Sequence, residues 1–141
     1  MKRIENKEMK NNFIGSWIIS NDNLFKNLIN FFEKNQNLQK QGTVGGGINL
    51  SIKKTKDIKI DPKDLEKEEY LIFKEYMSEL FKCYSDYKDQ WPFIKQIFKS
   101  VDIPSFNLQR YLPGDHFSRI HTERGSVQFM HRIFAWMTYL N

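Results

Sequence analysis

Apolar positions recur along the chain with two periods, and the periods divide it into elements. Phe13 to Ile19, FIGSWII, is a short apolar run that predicts a first strand. Ser20-Asn21-Asp22-Asn23 follows as a turn that can also cap a helix, since short polar side chains accept from free backbone N–H groups. Leu24, Phe25, Leu28, Ile29, Phe31 and Phe32 stand at helical spacing and predict a helix to about Lys34, its apolar face packed on a sheet. Asn35 to Gly47 reads as a loop ending in three glycines. No Gly-Lys-Ser/Thr follows them, so they form a connection and not a phosphate cradle. Ile48 to Ile60 alternates apolar residues with lysines and predicts an extended edge segment, where Lys discourages pairing with other chains. Lys53, Lys54 and Lys56 are open to substrate contact there, or simply to solvent.

Asp61-Pro62 predicts the start of a long helix, with Asp as cap and Pro in the first turn. Its apolar stripe is Phe73, Met77, Leu80, Tyr84, Tyr87 and Trp91, and Trp91-Pro92 ends it. A shorter helical piece, Phe93 to Lys99, leads through Asp102-Ile103-Pro104 into the last stretch. Phe106 to Ile120 predicts strand, turn and strand, with the turn at Leu112-Pro113-Gly114-Asp115. Arg124 to Met130 connects to a returning strand over Arg132 to Leu140. The polar, basic residues 1–12 are expected to be loose at the start.

The candidate chemistry lies in His121-Thr122-Glu123. On a strand, residues two apart share a face. His121 and Glu123 would then project together as an imidazole and a carboxylate, two legs of a metal site. The two-His-one-carboxylate triad of non-haem Fe(II) oxygenases uses such a pair and leaves positions open. Taken alone, a His-x-Glu triplet is usually a surface salt bridge or a solvated edge.

Its surroundings carry a resemblance. Arg110-Tyr111-Leu112-Pro113-Gly114, Phe117, His121-x-Glu123, Arg132 and Trp136-Met137-Thr138-Tyr139-Leu140-Asn141 together resemble the Fe(II)/2-oxoglutarate dioxygenases of the prolyl 4-hydroxylase type. The resemblance implies that His121 and Glu123 bind iron, and that Tyr111 and Tyr139 line the pocket of the cosubstrate 2-oxoglutarate, Tyr139 at its far carboxylate. It implies an α+β fold: N-terminal helices packed on a double-stranded β-helix, or jelly-roll, sheet. It also implies dioxygen and a peptide or small molecule as reaction partners, with peptidyl proline the best-known substrate of the family. Two departures stand out. The acid is Glu where Asp is commoner, and the family's second metal-binding His and its basic 2-oxoglutarate anchor lie downstream of the Tyr-Leu-Asn segment. His116 and His131 match neither position. The expectation is a single oxygenase-like domain over 1–141 with an incomplete barrel and its C-terminal part missing, 1–104 being helical support and 105–141 the first core strands. Such a chain is expected to be inactive by itself.

Composition changes the picture little. The 141 residues are 40% hydrophobic and 15% aromatic, enough for a folded core. The formal charge of +5 favours anionic partners. It leaves open a competing class, a non-catalytic basic binding module, although nucleic acid is not the expected partner. Cys83, the single cysteine, excludes an internal disulfide and falls in the helical pattern as a small apolar group. No signal peptide or membrane span is legible, so a cytoplasmic protein is expected.

Overall fold

The computed structural model describes residues 1–4, 13–45 and 47–141. The chain divides into two units: Met1–Asn30 with Asp61–Phe106, and Phe31–Ile60 with Asn107–Asn141.

In the first unit, β1 (Lys2–Arg3) pairs antiparallel with β2 (Trp17–Ile18). The start of the chain is therefore not loose at Lys2 and Arg3; residues 5–12 lie outside the described residues. Arg3 and Trp17 share one acceptor. Arg3 Nε donates to Asp86 Oδ2 at 2.6 Å, and Trp17 Nε1 donates to the same oxygen at 2.7 Å. The Trp17 bond, with Arg3 added and partial burial opposing, holds the Asp86 carboxyl below the usual carboxylate range. The strand expected over Phe13–Ile19 shrinks to Trp17–Ile18 because Phe13 adopts φ +56° and the Trp17 ring folds over Gly15. A Cβ at Gly15 would lie 2.1 Å from that ring.

Helix α1 (Asp22–Lys34) forms as the spacing predicts. Asn21 Oδ1 accepts from Leu24 N–H at 3.1 Å and caps it, and Leu24 and Leu28 are buried. The long helix expected from Asp61 begins later. Asp61 does accept from Lys63 N–H at 3.2 Å, but it caps a 3-10 turn over Pro62–Glu66. A second 3-10 turn covers Glu68–Tyr70, and Lys67 between them is extended. The acidic run Asp64, Glu66, Glu68 and Glu69 would set like charges at helical neighbours, which disfavours a continuous helix. Helix α2 (Leu71–Gln90) then runs up to Trp91-Pro92, and α3 (Phe93–Ile97) follows. The buried face of α2 is Phe73, Tyr76, Met77 and Cys83, so Tyr76 and Cys83 widen the expected stripe, while Leu80, Tyr84 and Tyr87 are only half-buried. Phe106 meets Phe73 edge-on at 6.1 Å between ring centroids.

The second unit holds small sheets. β3 (Lys40–Gln41), β5 (Lys56–Ile60) and β6 (Phe106–Arg110) form one sheet in the order β3-β5-β6, with β3 and β5 antiparallel. β4 (Lys53–Lys54) pairs antiparallel with β7 (His116–Phe117), Lys53 opposite Phe117. β5 is thus central and not an edge; Ile58 and Ile60 are buried on it, and Lys53 is buried instead of solvated. The Leu112–Asp115 turn is as expected. Asp115 N–H donates to Leu112 O at 2.8 Å, with Pro113 second and Gly114 third at φ +85°, the conformation a type II turn demands of glycine. Among the described residues the strands close no barrel, and the expected strand Arg132–Leu140 is without regular structure. No helix among them is long and apolar enough to cross a membrane.

Candidate metal centre

The site is built from β7 outward. The last sheet contact is Ser118 N–H donating to Ile52 O at 2.8 Å. Beyond it the chain leaves the strand, so His121 and Glu123 do not share a strand face as expected. Glu123-Arg124 turns the chain at the end of the motif, with Arg124 N–H donating to Thr122 Oγ1 at 3.3 Å. The turn still brings the two side chains together: His121 Nε2 lies 3.6 Å from Glu123 Oε1. Both side chains are about half exposed.

Two contacts orient the imidazole. It stacks on Phe117, centroids 4.4 Å apart and planes 22° from parallel. Its Nδ1 sits 3.1 Å from the Arg119 carbonyl oxygen. In the neutral ring that contact places the proton on Nδ1 and leaves the Nε2 lone pair facing Glu123. A cation holds the other carboxylate oxygen: Arg132 donates to Glu123 Oε2 at 2.7 Å while its guanidinium lies 4.2 Å from the Phe129 ring centroid.

Phe117 rests in turn on a buried polar cluster that was not expected from the sequence. Lys53 Nζ lies 5.7 Å from the Phe117 ring centroid and pairs with Asp57 Oδ2 at 2.9 Å. Thr55 donates to Asp57 Oδ1 at 2.7 Å, and Gln109 Nε2 to Oδ2 at 3.0 Å. A signal exists in the spacing: Lys53, Thr55 and Asp57 stand two apart, one face of an extended segment. Gly42 closes over the cluster, since a Cβ there would lie 2.0 Å from Thr55 Oγ1.

Tyr111 is 44% exposed and Tyr139 81%. Partial burial, with Asp57 and Tyr139 adding, pushes the Tyr111 phenol up, which keeps it a hydrogen-bond donor. The two tyrosines are therefore within electrostatic reach of each other, while the imidazole of His121 is held by Phe117, Arg119 and Glu123. The other histidines have different surroundings: His116 Nε2 is 3.2 Å from Ser51 O, and His131 is exposed on the segment after the turn. Among the described residues no group of three His, Cys, Asp or Glu side chains converges.

Compared with protein families, curated proteins and solved structures, the chain matches none.

Proposed function

We propose that the chain is of the Fe(II)- and 2-oxoglutarate-dependent dioxygenase type, a cytoplasmic oxidoreductase with a jelly-roll core, and that His121 and Glu123 are two of the protein ligands of its iron. One observation carries the reading. With Nδ1 turned to a backbone carbonyl, the neutral form of His121 would present an unprotonated nitrogen to a carboxylate oxygen 3.6 Å away. Two acceptors so placed repel unless a cation lies between them. The carbonyl contact is also the outer-shell bond that metal-bound histidines make.

The donor set fits a divalent ion at two adjacent positions. Bonds of about 2.0–2.2 Å put two such donors about 3.0–3.5 Å apart, close to the separation present. Phe117 and the Arg119 carbonyl fix the ring, and Arg132 holds Glu123 by its outer oxygen, leaving Oε1 to face inward. Tyr111, kept protonated, and Tyr139 would donate to the carboxylates of 2-oxoglutarate. Bound together, Fe(II) and 2-oxoglutarate supply the oxidation of a substrate C–H bond by dioxygen. With two protein donors and no third among the described residues, metal binding is weak and turnover by this chain slight.

A second reading rests on the Arg132–Glu123 bond. An imidazolium, a carboxylate and a guanidinium in a row also form a plain surface ion-pair network, as in a non-catalytic basic module that contacts an anionic partner. Calorimetric titration of Mn(II), a redox-inert stand-in for Fe(II), into the protein with 2-oxoglutarate separates the two. The metal reading requires a saturable signal that disappears in His121→Ala and in Glu123→Gln. Absence of binding in the unaltered protein leaves the ion-pair network.

A further inference from the structure

His121 sits on a segment without regular structure, next to Ile120, which is 99% exposed. A metal ligand has to be held within about 0.5 Å of its working position by packed neighbours. Exposed irregular backbone does not hold a side chain that closely by itself. Two contacts of the imidazole, the Arg119 carbonyl and Glu123, lie on its own segment. The third, the stack on Phe117, is the one that reaches a strand. What fixes Phe117 therefore bears on His121.

Phe117 stands opposite Lys53 in the β4–β7 pair, so the two side chains share a face. Lys53 Nζ lies 5.7 Å from the ring centroid, within the distance at which an ammonium is drawn to the face of an aromatic ring. That attraction has a direction. It selects one orientation of the ring, which an alkyl neighbour of the same size would not. The ammonium is itself fixed. Asp57 Oδ2 takes it at 2.9 Å, and the same carboxylate accepts from Thr55 and from Gln109 of β6. Lys53 and Thr55 are buried, and Gly42 closes over them. Apolar side chains of similar volume often replace a buried ion pair with no loss of stability, because the two charges give up their water. Placement, more than stability, is what this polar cluster supplies.

We propose that Lys53 is a positioning residue for His121: clamped by Asp57, it sets the Phe117 ring, and the ring sets the imidazole. As a statement about metal it rests on the iron reading above; as a statement about the orientation of His121 it stands without it.

The test compares K53M/D57N, which removes both charges of the pair together, with Phe117→Leu and with the triple variant. Lys59→Met, at an exposed lysine of β5, is the control. Two quantities are read at one pH: the NMR signals of the His121 ring protons, which a stacked Phe117 displaces by its ring current, and the affinity for Mn(II) alone by calorimetry. Phe117→Leu should move the His121 signals toward those of an exposed imidazole, and K53M/D57N should move them part of the same way. K53M/D57N should weaken Mn(II) binding about tenfold, the low end of what losing an outer-shell partner costs a metal site. The triple variant should go no further than Phe117→Leu in either quantity, and Lys59→Met should change neither. Circular dichroism reports whether each variant has folded. In the unaltered protein, cross-relaxation is expected from the Lys53 Hε protons to the Phe117 ring and from that ring to His121, a check that needs no variant. Its absence, His121 signals unmoved in K53M/D57N, or effects of K53M/D57N and Phe117→Leu that add in the triple variant overturn the proposal. Should Mn(II) fail to bind the unaltered protein while the His121 signals still follow Lys53, the iron reading falls and the positioning stands; Mn(II) binding of equal affinity in all variants does the reverse.

Discussion

Replacing Gly42 with Ala tests how tightly the buried cluster under Phe117 is packed. The new Cβ would lie 2.0 Å from Thr55 Oγ1 and 2.9 Å from Lys53 Cε, so something must move. Forcing an extra carbon into a packed site costs about 1–3 kcal/mol. Displacing the Thr55 hydroxyl also breaks its 2.7 Å bond to a mostly buried carboxylate, worth about 1.5–3 kcal/mol. The sum of about 2.5–6 kcal/mol is a large part of the stability of a domain, about 5–15 kcal/mol. The assay is urea denaturation followed by circular dichroism on Gly42→Ala, Thr55→Ala and the double variant. Thr55→Ala alone should cost about 2 kcal/mol by removing the same bond. In the double variant the hydroxyl that clashes is gone, so its destabilisation should fall short of the sum by about 1 kcal/mol or more. Strict additivity, or a Gly42→Ala protein as stable as the unaltered one, would refute the packing described.

Three further outcomes are expected at other contacts. Because the Asp86 carboxyl is held below its usual range, its contribution to stability is present above about pH 4, the ordinary value, and fades as pH falls through the lowered one; Asp86→Asn should flatten that acid limb in melting curves taken between about pH 2 and 6. Burial pushes the Cys83 thiol up, and its side chain is covered, so Ellman's reagent should label it only on unfolding; labelling at the rate of a free thiol would contradict its place in α2. Arg132 stands beside the proposed ion, and a unit charge roughly 5 Å from a divalent cation in water opposes it by about 1–2 kcal/mol, so Arg132→Gln should tighten Mn(II) binding about fivefold or more in the calorimetric titration.

The helices were the most legible part of the chain. The α1 spacing and its Asn21 cap and the stop at Trp91-Pro92 are local signals that survive into the structure, whereas the Asp61-Pro62 start, equally local, caps a 3-10 turn and α2 begins only at Leu71, with Phe73 and Met77 of the expected stripe buried. The Leu112–Asp115 turn was legible for the same reason, since Pro113 and Gly114 specify it by themselves. What failed depended on partners. FIGSWII and the Arg132–Leu140 segment read as strands from side-chain type, but a strand needs a neighbour to pair with, and only Trp17–Ile18 finds one. Lys53 read as a solvated edge lysine because the two-residue spacing to Thr55 and Asp57 puts the three on one face without saying that this face is buried, and burial comes only with the neighbouring strands. His121 and Glu123 meet, but through a turn and not through the strand period that suggested them.

The central claim is that His121 and Glu123 hold a metal ion, and histidine ring nitrogens report on it directly. In a long-range proton–nitrogen NMR spectrum of the 15N-labelled protein, substoichiometric Mn(II) should broaden the His121 ring signals first and leave those of His116 and His131 sharp. The spectrum before metal should show His121 as the tautomer protonated at Nδ1. Equal broadening of all three histidines, or none at His121, would contradict the account and leave His121, Glu123 and Arg132 as a surface ion-pair network.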